Sequence, residues 1–157
     1  QLAYLRSKFT SYESFADATL EDVFTVEELE NAKKLHTEYM QTSLLLSTPD
    51  GSYDWVSMPK EAQYSSVYAT VVEDFDKDGF TDVLLLGNNQ FFKLRLGKFD
   101  ANYGTLFLGD GKGGFNYVPQ SASGLQIKGD VRSTLVMGNK LLLGITGKEV
   151  KAYEINP

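Results

Sequence analysis

The fold of this chain is decided by the stretch Val67-Tyr-Ala-Thr-Val-Val-Glu-Asp74-Phe-Asp76-Lys-Asp78-Gly79-Phe80-Thr-Asp82-Val-Leu-Leu-Leu86. Its two apolar runs, residues 67–72 and 83–86, are rich in strand-forming side chains and are bounded by polar residues or glycine. Between them, aspartates occupy positions one, three, five and nine of a tight loop, and glycine occupies position six. The stretch therefore predicts two strands joined by an acidic loop.

The acidic loop predicts a calcium site, because calcium requires about six to eight hard oxygen ligands. The expected ligands are the carboxylates of Asp74, Asp76, Asp78 and Asp82 and the backbone carbonyl of Phe80. Gly79 would make the sharp bend between them. The loop is not an EF-hand, because position twelve is Leu85 where that motif needs a glutamate, and strands rather than helices flank it.

Two further interpretations of the loop stay open. It could be a solvated turn without a metal, although four carboxylates so close together would repel one another in the absence of a cation. A bound ion could also contact a ligand, but we expect it only to join the two strands. Calcium is therefore predicted as a structural cofactor.

This arrangement of strand, D-x-D-x-D-G-x-x-D loop and strand resembles the FG-GAP/VCBS repeat family, the β-propeller repeats of integrin α chains and of many secreted bacterial proteins. A second hallmark follows in residues 106–115, which resemble the glycine-rich hairpin of the repeat. The resemblance covers roughly residues 45–155 and is best over 67–118. It implies a structural calcium ion at the five ligands named above, and an extracellular or bacterial cell-envelope protein.

Internal comparison also indicates a repeat. Residues 67–72 and 83–87 have counterparts in residues 131–136 and 141–144, about sixty residues further on. The later copy lacks the acidic loop, since only Met137-Gly-Asn-Lys140 joins its two strands. We therefore predict a short hairpin without a metal there, and one calcium site in the chain.

The predicted fold is mainly β, with an N-terminal helical hairpin. Residues 44–157 are expected to form about two antiparallel β-propeller-like blades, an incomplete propeller because closure needs at least about four blades. The first of their turns is expected at Asp50-Gly51. Because the chain starts at Gln1 and not at a methionine, we expect a segment excised from a longer protein.

Residues 1–43 are predicted to form the helical hairpin, packed on the sheets. Thr10-Ser-Tyr-Glu13 and Thr25-Val-Glu-Glu28 each have the pattern of a capping box. Apolar residues then recur at helical spacing, at Tyr12, Phe15, Ala16, Leu20, Val23 and Phe24 in the first helix and at Leu29, Ala32, Tyr39 and Met40 in the second. The chain's single histidine, His36, falls on the apolar side of the second helix, where a packed or half-exposed side chain is expected.

Composition argues against several functions. The formal net charge of -6 would repel phosphate, and the chain has no basic stripe with interleaved aromatic residues, so nucleic acid is not expected as a partner. The sequence holds no apolar stretch of about 18 residues, so no membrane span is expected. Without cysteine there is neither a disulfide framework nor thiol chemistry.

Catalytic motifs are also missing from the sequence, so we expect no catalytic residues and favour a protein that is not an enzyme. No G-x-S-x-G elbow occurs. Residues 109–114 are rich in glycine but lack the Lys-Ser/Thr ending of a phosphate loop, so they are interpreted as a structural hairpin.

The candidate interaction surface is the segment of residues 88–103. Its mixture of aromatic, amide and charged side chains suits the recognition of carbohydrate or protein. The predicted ligand-binding residues are Phe92, Arg95, Lys98 and Asp100. In the alternative interpretation, the phenylalanines of this segment hold it against the sheets and Arg95 pairs with Asp100.

The sequence is compatible with three functions. The first is a non-catalytic, calcium-stabilised propeller segment used for adhesion or for binding protein or glycan. The second is part of a propeller-type polysaccharide-active enzyme such as a lyase. The third is a scaffold blade that has no external ligand and associates only with the remaining blades of its parent chain. Fold alone does not distinguish among them.

Overall fold

The computed structural model describes residues 3–92, residue 95 and residues 97–156. The chain divides into two compact units, Gln1–Tyr39 and Met40–Pro157, with a boundary a few residues before the predicted one. The first unit contains short helices and the second contains the sheets. None of the helices within the described ranges is long and apolar enough to cross a membrane.

The first unit differs from the predicted pair of helices. Its described residues form four helices of four or five residues each, α1 (Leu5–Lys8), α2 (Tyr12–Ala16), α3 (Leu20–Val23) and α4 (Val26–Glu30). Three of them begin at the capping residues Ser11, Thr19 and Thr25, each of which accepts a hydrogen bond from the backbone N–H three residues on, whereas α1 has no side-chain cap. The predicted packing of this unit on the sheets stays a prediction.

Two details of the predicted helices are wrong and one is confirmed. The box at Thr25 and Glu28 forms, but the first box uses Ser11 and Ser14 in place of Thr10 and Glu13. The second helix ends at Glu30, so His36 lies outside any helix and its side chain is 83% exposed. Apolar spacing alone does not hold so short a helix together, because isolated helices shorter than about 12 residues are marginal in water.

The second unit confirms a mainly β protein, and the part of it that the structure describes contains three antiparallel sheets. The two-stranded sheet contains β1 (Ser43–Ser47) and β2 (Tyr53–Ser57); the four-stranded sheet contains β3 (Val67–Glu73), β4 (Asp82–Gly87), β5 (Thr105–Gly109) and β6 (Phe115–Val118); the three-stranded sheet contains β7 (Val131–Met137), β8 (Lys140–Ile145) and β9 (Lys151–Glu154). A 3-10 turn at Lys60–Gln63 and the helix α5 (Gln120–Ser123) connect the sheets. In the described part of the chain the sheets form neither a closed nor a curled propeller, so their assignment as blades is a proposal.

The four-stranded sheet has a hydrophobic cluster on each of its two faces. Its central strand β4 is buried along its whole length, as its apolar sequence predicts. Val83 and Leu85 pack with Phe107 in a cluster that includes Met58 and Ala62. On the opposite face, a second cluster joins the sheet to the three-stranded sheet and contains Ala69, Val71, Leu84, Leu86, Val131, Leu141, Leu143 and Ile145.

The register of the strands confirms the internal repeat. In β3 and β4, Val71 pairs with Leu84 and Val72 with Val83; in β7 and β8, Leu135 pairs with Leu142 and Val136 with Leu141. Both hairpins also carry a register shift at the same point, between Val67 and Ala69 in the first and between Val131 and Ser133 in the second. In this register the counterpart of Gly144 is Leu86, so the glycines that end the two matched segments, Gly87 and Gly144, are not equivalent.

The loops are what distinguish the two hairpins. The first has the acidic loop of residues 74–81, and the second has only Gly138 and Asn139 between its strands. The predicted short hairpin is therefore confirmed.

The turn between β1 and β2 likewise resembles the turn between β5 and β6. In each, the first residue donates its backbone N–H to the carbonyl of the fifth, from Thr48 to Ser52 at 2.9 Å and from Asp110 to Gly114 at 3.0 Å. The fourth residue of each is a glycine with positive φ, Gly51 at 83° and Gly113 at 91°, a conformation that glycine adopts at little cost. The predicted Asp50-Gly51 turn is therefore confirmed.

Hydrogen bonds within the first of these turns lower the pKa of Asp50. The hydroxyl of Thr48, then the hydroxyl and the backbone N–H of Ser52, donate to its carboxylate and hold its pKa at about 2, below the ordinary 3.8. Because the folded pKa is the lower one, the contribution of Asp50 to stability is fully present above about pH 4 and is lost as the pH falls towards 2. We expect the double substitution Thr48→Ala and Ser52→Ala to raise the pKa of Asp50 towards its ordinary value, as measured by NMR titration of its carboxyl carbon.

Asp110 provides the control for that titration. Backbone N–H groups of Lys112 and Gly114 lower its pKa, so the double substitution in the other turn should leave its titration unchanged. An Asp50 that already titrates at the ordinary value in the wild type would contradict the assignment.

Candidate metal centre

The acidic loop connects the paired ends of β3 and β4. Glu73 pairs with Asp82 at the base of the loop. Two residues turn the backbone with positive φ, Lys77 at 61° and Gly79 at 92°. The Gly79 conformation agrees with the bend predicted there, whereas Lys77 has a conformation that is uncommon for a residue with a side chain.

Three of the predicted ligands lie close together. Asp74, Asp76 and Asp78 are exposed, and each offers a carboxylate oxygen that lies within 4.8 Å of those of the other two. Carboxylate oxygens are hard ligands of the kind that calcium and magnesium prefer. The group could therefore hold a metal ion and would supply three of the ligands.

Backbone hydrogen bonds orient these three carboxylates. Asp74 accepts the N–H of Gly79 at 3.0 Å, Asp76 that of Asp78 at 3.2 Å, and Asp78 that of Phe80 at 2.8 Å. A carboxylate has about four lone-pair sites, so each keeps acceptor capacity for a cation after one such bond. The alternation of aspartates along the loop thus directs one side chain after another towards its centre.

The environment of the loop opposes the charged form of Asp76. Desolvation is the first cause, and the negative charges of Asp78, Asp82 and Asp74 add to it, so that the pKa of Asp76 is raised above its ordinary value. A hydrogen bond from the backbone of Asp78 opposes the shift. A cation at the centre of the loop would relieve the repulsion, because opposite charge favours the ionised form.

Asp82 has a different setting from the other three aspartates. It is fully buried at the start of β4, and its two oxygens accept the backbone N–H of Phe75 at 2.8 Å and of Gly109 at 2.9 Å. It therefore connects the first part of the acidic loop to the end of β5. Its role as a metal ligand, and that of the Phe80 carbonyl, stay predictions.

The predicted interaction segment leaves the opposite end of β4. Asn89 and Phe99 form an isolated bridge with N–O distances of 2.7 and 3.0 Å, and the rings of Phe92 and Phe99 meet edge to face with centroids 5.1 Å apart. Phe92 and Phe99 thus pack on each other and still remain about two-fifths exposed, at 41% and 42%. Of the other predicted ligand-binding residues, Arg95, Lys98 and Asp100 are exposed, and no ion pair joins Arg95 to Asp100 among the described residues.

A buried polar network that was not predicted from the sequence lies at this same end of the sheets. Asn88 is 1% exposed, and its side chain amide donates to the carbonyls of Asn102 at 2.7 Å and Gly129 at 3.1 Å. Asp130 accepts the N–H of Gln90 and pairs with Arg132 at 3.3 Å. The Arg132 guanidinium in turn lies 3.8 Å from the centroid of the Tyr68 ring. The one signal in the sequence was the run Gly87-Asn-Asn-Gln90 directly after a buried strand.

The fold and the acidic loop define a mainly β protein with a candidate cation site between two strands of its four-stranded sheet. Comparison of the chain with known protein families, with curated proteins and with solved structures gave no match.

Proposed function

We propose that this chain is a calcium-stabilised segment of a β-propeller repeat protein of the FG-GAP/VCBS, integrin α-like type. The segment has no catalytic role of its own and serves adhesion or the binding of protein or glycan partners, beside the remaining blades of an extracellular or cell-envelope protein. The observation that carries the proposal is the group of three exposed carboxylates, whose oxygens lie within 4.8 Å of one another in a loop between paired strands.

Calcium is the cation that this loop suits best. The carboxylates sit on a loop whose backbone turns twice through positive φ, and calcium tolerates the irregular, oxygen-rich geometry that such a loop offers. Magnesium demands near-ideal octahedral geometry and retains several of its waters. The three carboxylates would supply part of the ligand set, with Asp82, the Phe80 carbonyl and water as the remaining candidates.

The proposed role of the ion is structural. The acidic loop precedes β4 and the segment of residues 88–103 follows it, so the two are separated by the length of a six-residue strand, about 17 Å. An ion in the loop would neutralise the mutual repulsion of the carboxylates and hold the ends of β3 and β4 together. It would not reach a ligand bound at Phe92, Arg95, Lys98 or Asp100.

The exposed aromatic and charged residues of that segment support the second half of the proposal. Phe91 is 82% exposed, and Phe92 and Phe99 present a pair of rings beside it. Aromatic faces stack on the apolar faces of sugars, while guanidinium and ammonium groups select carboxylates and hydroxyls. The segment therefore suits an acidic glycan or an acidic protein surface.

Calcium titration tests the metal site. We expect isothermal titration calorimetry to detect one calcium ion per chain, and calcium at a hundredfold excess over its dissociation constant to stabilise the fold by about 2.7 kcal/mol. That free energy corresponds to a rise of about 5–10 °C in the melting temperature. The double substitution Asp76→Asn and Asp78→Asn should abolish both effects, because it removes two charges while keeping oxygen acceptors for the turn.

Asp54→Asn is the matched control, since Asp54 is an exposed aspartate on β2, outside the acidic loop. It removes one negative charge and should leave calcium binding intact. If no calcium binds at millimolar concentration, or if the control loses binding as the double variant does, the loop is a solvated turn and the proposed function is wrong.

A further inference from the structure

The three-stranded sheet exposes a face whose counterpart in the four-stranded sheet is covered. By the register of the two hairpins, Leu135 corresponds to Val71 and Leu142 to Leu84. Val71 and Leu84 are 6% and 1% exposed, because the three-stranded sheet packs over them. Leu135 is 56% exposed and Leu142 is half-buried.

The same sheet also lacks a fourth strand. Leu141 is the counterpart of Val83 in the register of the two hairpins. Because Leu141 pairs with Tyr153 on β9 and Val83 pairs with Phe107 on β5, β9 is the counterpart of β5. In the four-stranded sheet β5 pairs on its other side with β6, whereas in the described residues β9 pairs only with β8. Beside this free edge lies a cavity of about 450 Å³, lined by Leu106, Leu108 and Val118 together with Tyr153.

We propose that the three-stranded sheet binds one further repeat segment of the same type as residues 111–156. A strand like β6 pairs with the free edge of β9 and covers the cavity, and a hairpin like β7 and β8 packs on the face of Leu135 and Leu142. The inference uses the repeat architecture of the proposed function and does not depend on a metal in the acidic loop.

The interface between the two larger sheets determines the chemistry of this occupant. There, the face of the three-stranded sheet that carries Leu141, Leu143 and Ile145 covers the face of the four-stranded sheet that carries Leu84 and Leu86. A further hairpin with aliphatic side chains at the positions of Leu141 and Leu143 would cover Leu135 and Leu142 in the same way. Repeat proteins bury their faces by such stacking of neighbours.

A second copy of this chain does not supply that hairpin. In each of its two hairpins the face with the required pattern is already covered. Met58 and Ala62 pack on Val83 and Leu85, and the four-stranded sheet packs on Leu141 and Leu143.

An extended chain tests the proposal. In this extended chain, residues 1–156 are followed directly by a second copy of residues 111–156. The junction is placed there because Asn156 follows β9 as Asp110 follows β5. We expect hydrogen exchange at the β9 amides that point away from β8 to slow by at least about tenfold in the extended chain. Leu135→Ser should lower the melting temperature by less than about 2 °C in the original chain and by more than about 5 °C in the extended one.

The control is the same extension with Leu141→Ser and Leu143→Ser in the appended copy only. In this control, hydrogen exchange at the β9 amides and the effect of Leu135→Ser on the melting temperature should be the same as in the original chain. The proposal is overturned if the appended segment stays unprotected from exchange, if Leu135→Ser has the same small effect in both chains, or if sedimentation shows that the original chain already self-associates through this sheet. Calcium titration of the original chain tests the proposed metal site separately, so failure of one is distinguishable from failure of the other.

Discussion

Asp82→Ala is expected to lower the free energy of unfolding by about 2–6 kcal/mol, even without a metal present. The Asp82 carboxylate is fully buried and is the acceptor for the backbone N–H groups of Phe75 and Gly109. Its removal leaves two donors without a partner, each of which costs about 1–3 kcal/mol when buried. The loss would separate the acidic loop from the end of β5.

Urea unfolding in the presence of EDTA measures this effect without any contribution from bound cations. Asp82→Asn retains one carbonyl oxygen as an acceptor, so its loss should be smaller than that of the alanine variant. Asp54→Ala on the exposed side of β2 is the control and should change the free energy of unfolding by no more than about 0.5 kcal/mol. A loss of less than about 1 kcal/mol for Asp82→Ala would contradict a structural role for Asp82.

Asn88→Leu has the second large expected effect, a loss of about 3–5 kcal/mol. The side chain of Asn88 accepts from the Ser65 hydroxyl and from the N–H of Asn102, and it donates to two carbonyls, so all its hydrogen-bonding capacity is used within the protein. Leucine has a similar size but leaves these partners unsatisfied in a buried site. The φ of 115° adds backbone strain for any residue other than glycine.

Asn88→Gly separates the two contributions in the same urea experiment. Glycine relieves the backbone strain and still loses every side chain hydrogen bond, so we expect it to be destabilising but less so than leucine. Asn116→Leu on β6, where the asparagine is exposed, is the control for the change in side chain type and should be nearly neutral. Equal stabilities for Asn88→Leu and the wild type would show that the network does not hold this end of the sheets.

The sheets were predictable because their signals are local. Val83-Leu-Leu-Leu86 is long enough and apolar enough to predict a buried strand, and glycine or aspartate marks the turns around it. The N-terminal unit was harder to predict, because its apolar spacing fits long helices while each serine or threonine that can cap a helix also starts a new one. Capping at Ser11, Thr19 and Thr25 prevails over the helical period, so residues 12–30 form three short helices.

Of the candidate metal centre, the sequence predicted the three exposed carboxylates but not the burial of Asp82. Alternation of aspartates about a glycine is a local pattern, and it brings Asp74, Asp76 and Asp78 together without help from the rest of the fold. One of the two partners of Asp82 is the N–H of Gly109, which lies on another strand and 27 residues away in the chain.

The strands of the two long hairpins, their turns and the acidic loop follow from the sequence, because each depends on residues close together in the chain. Which face of each sheet is covered, and which polar groups are buried, depends on how the sheets pack. Val71 and Leu135 occupy equivalent positions in the two hairpins, yet one is buried and the other exposed, since a sheet packs over the first and none within the described residues packs over the second. Whether a side chain is buried depends on the element that packs over it, and that element comes from a distant part of the chain.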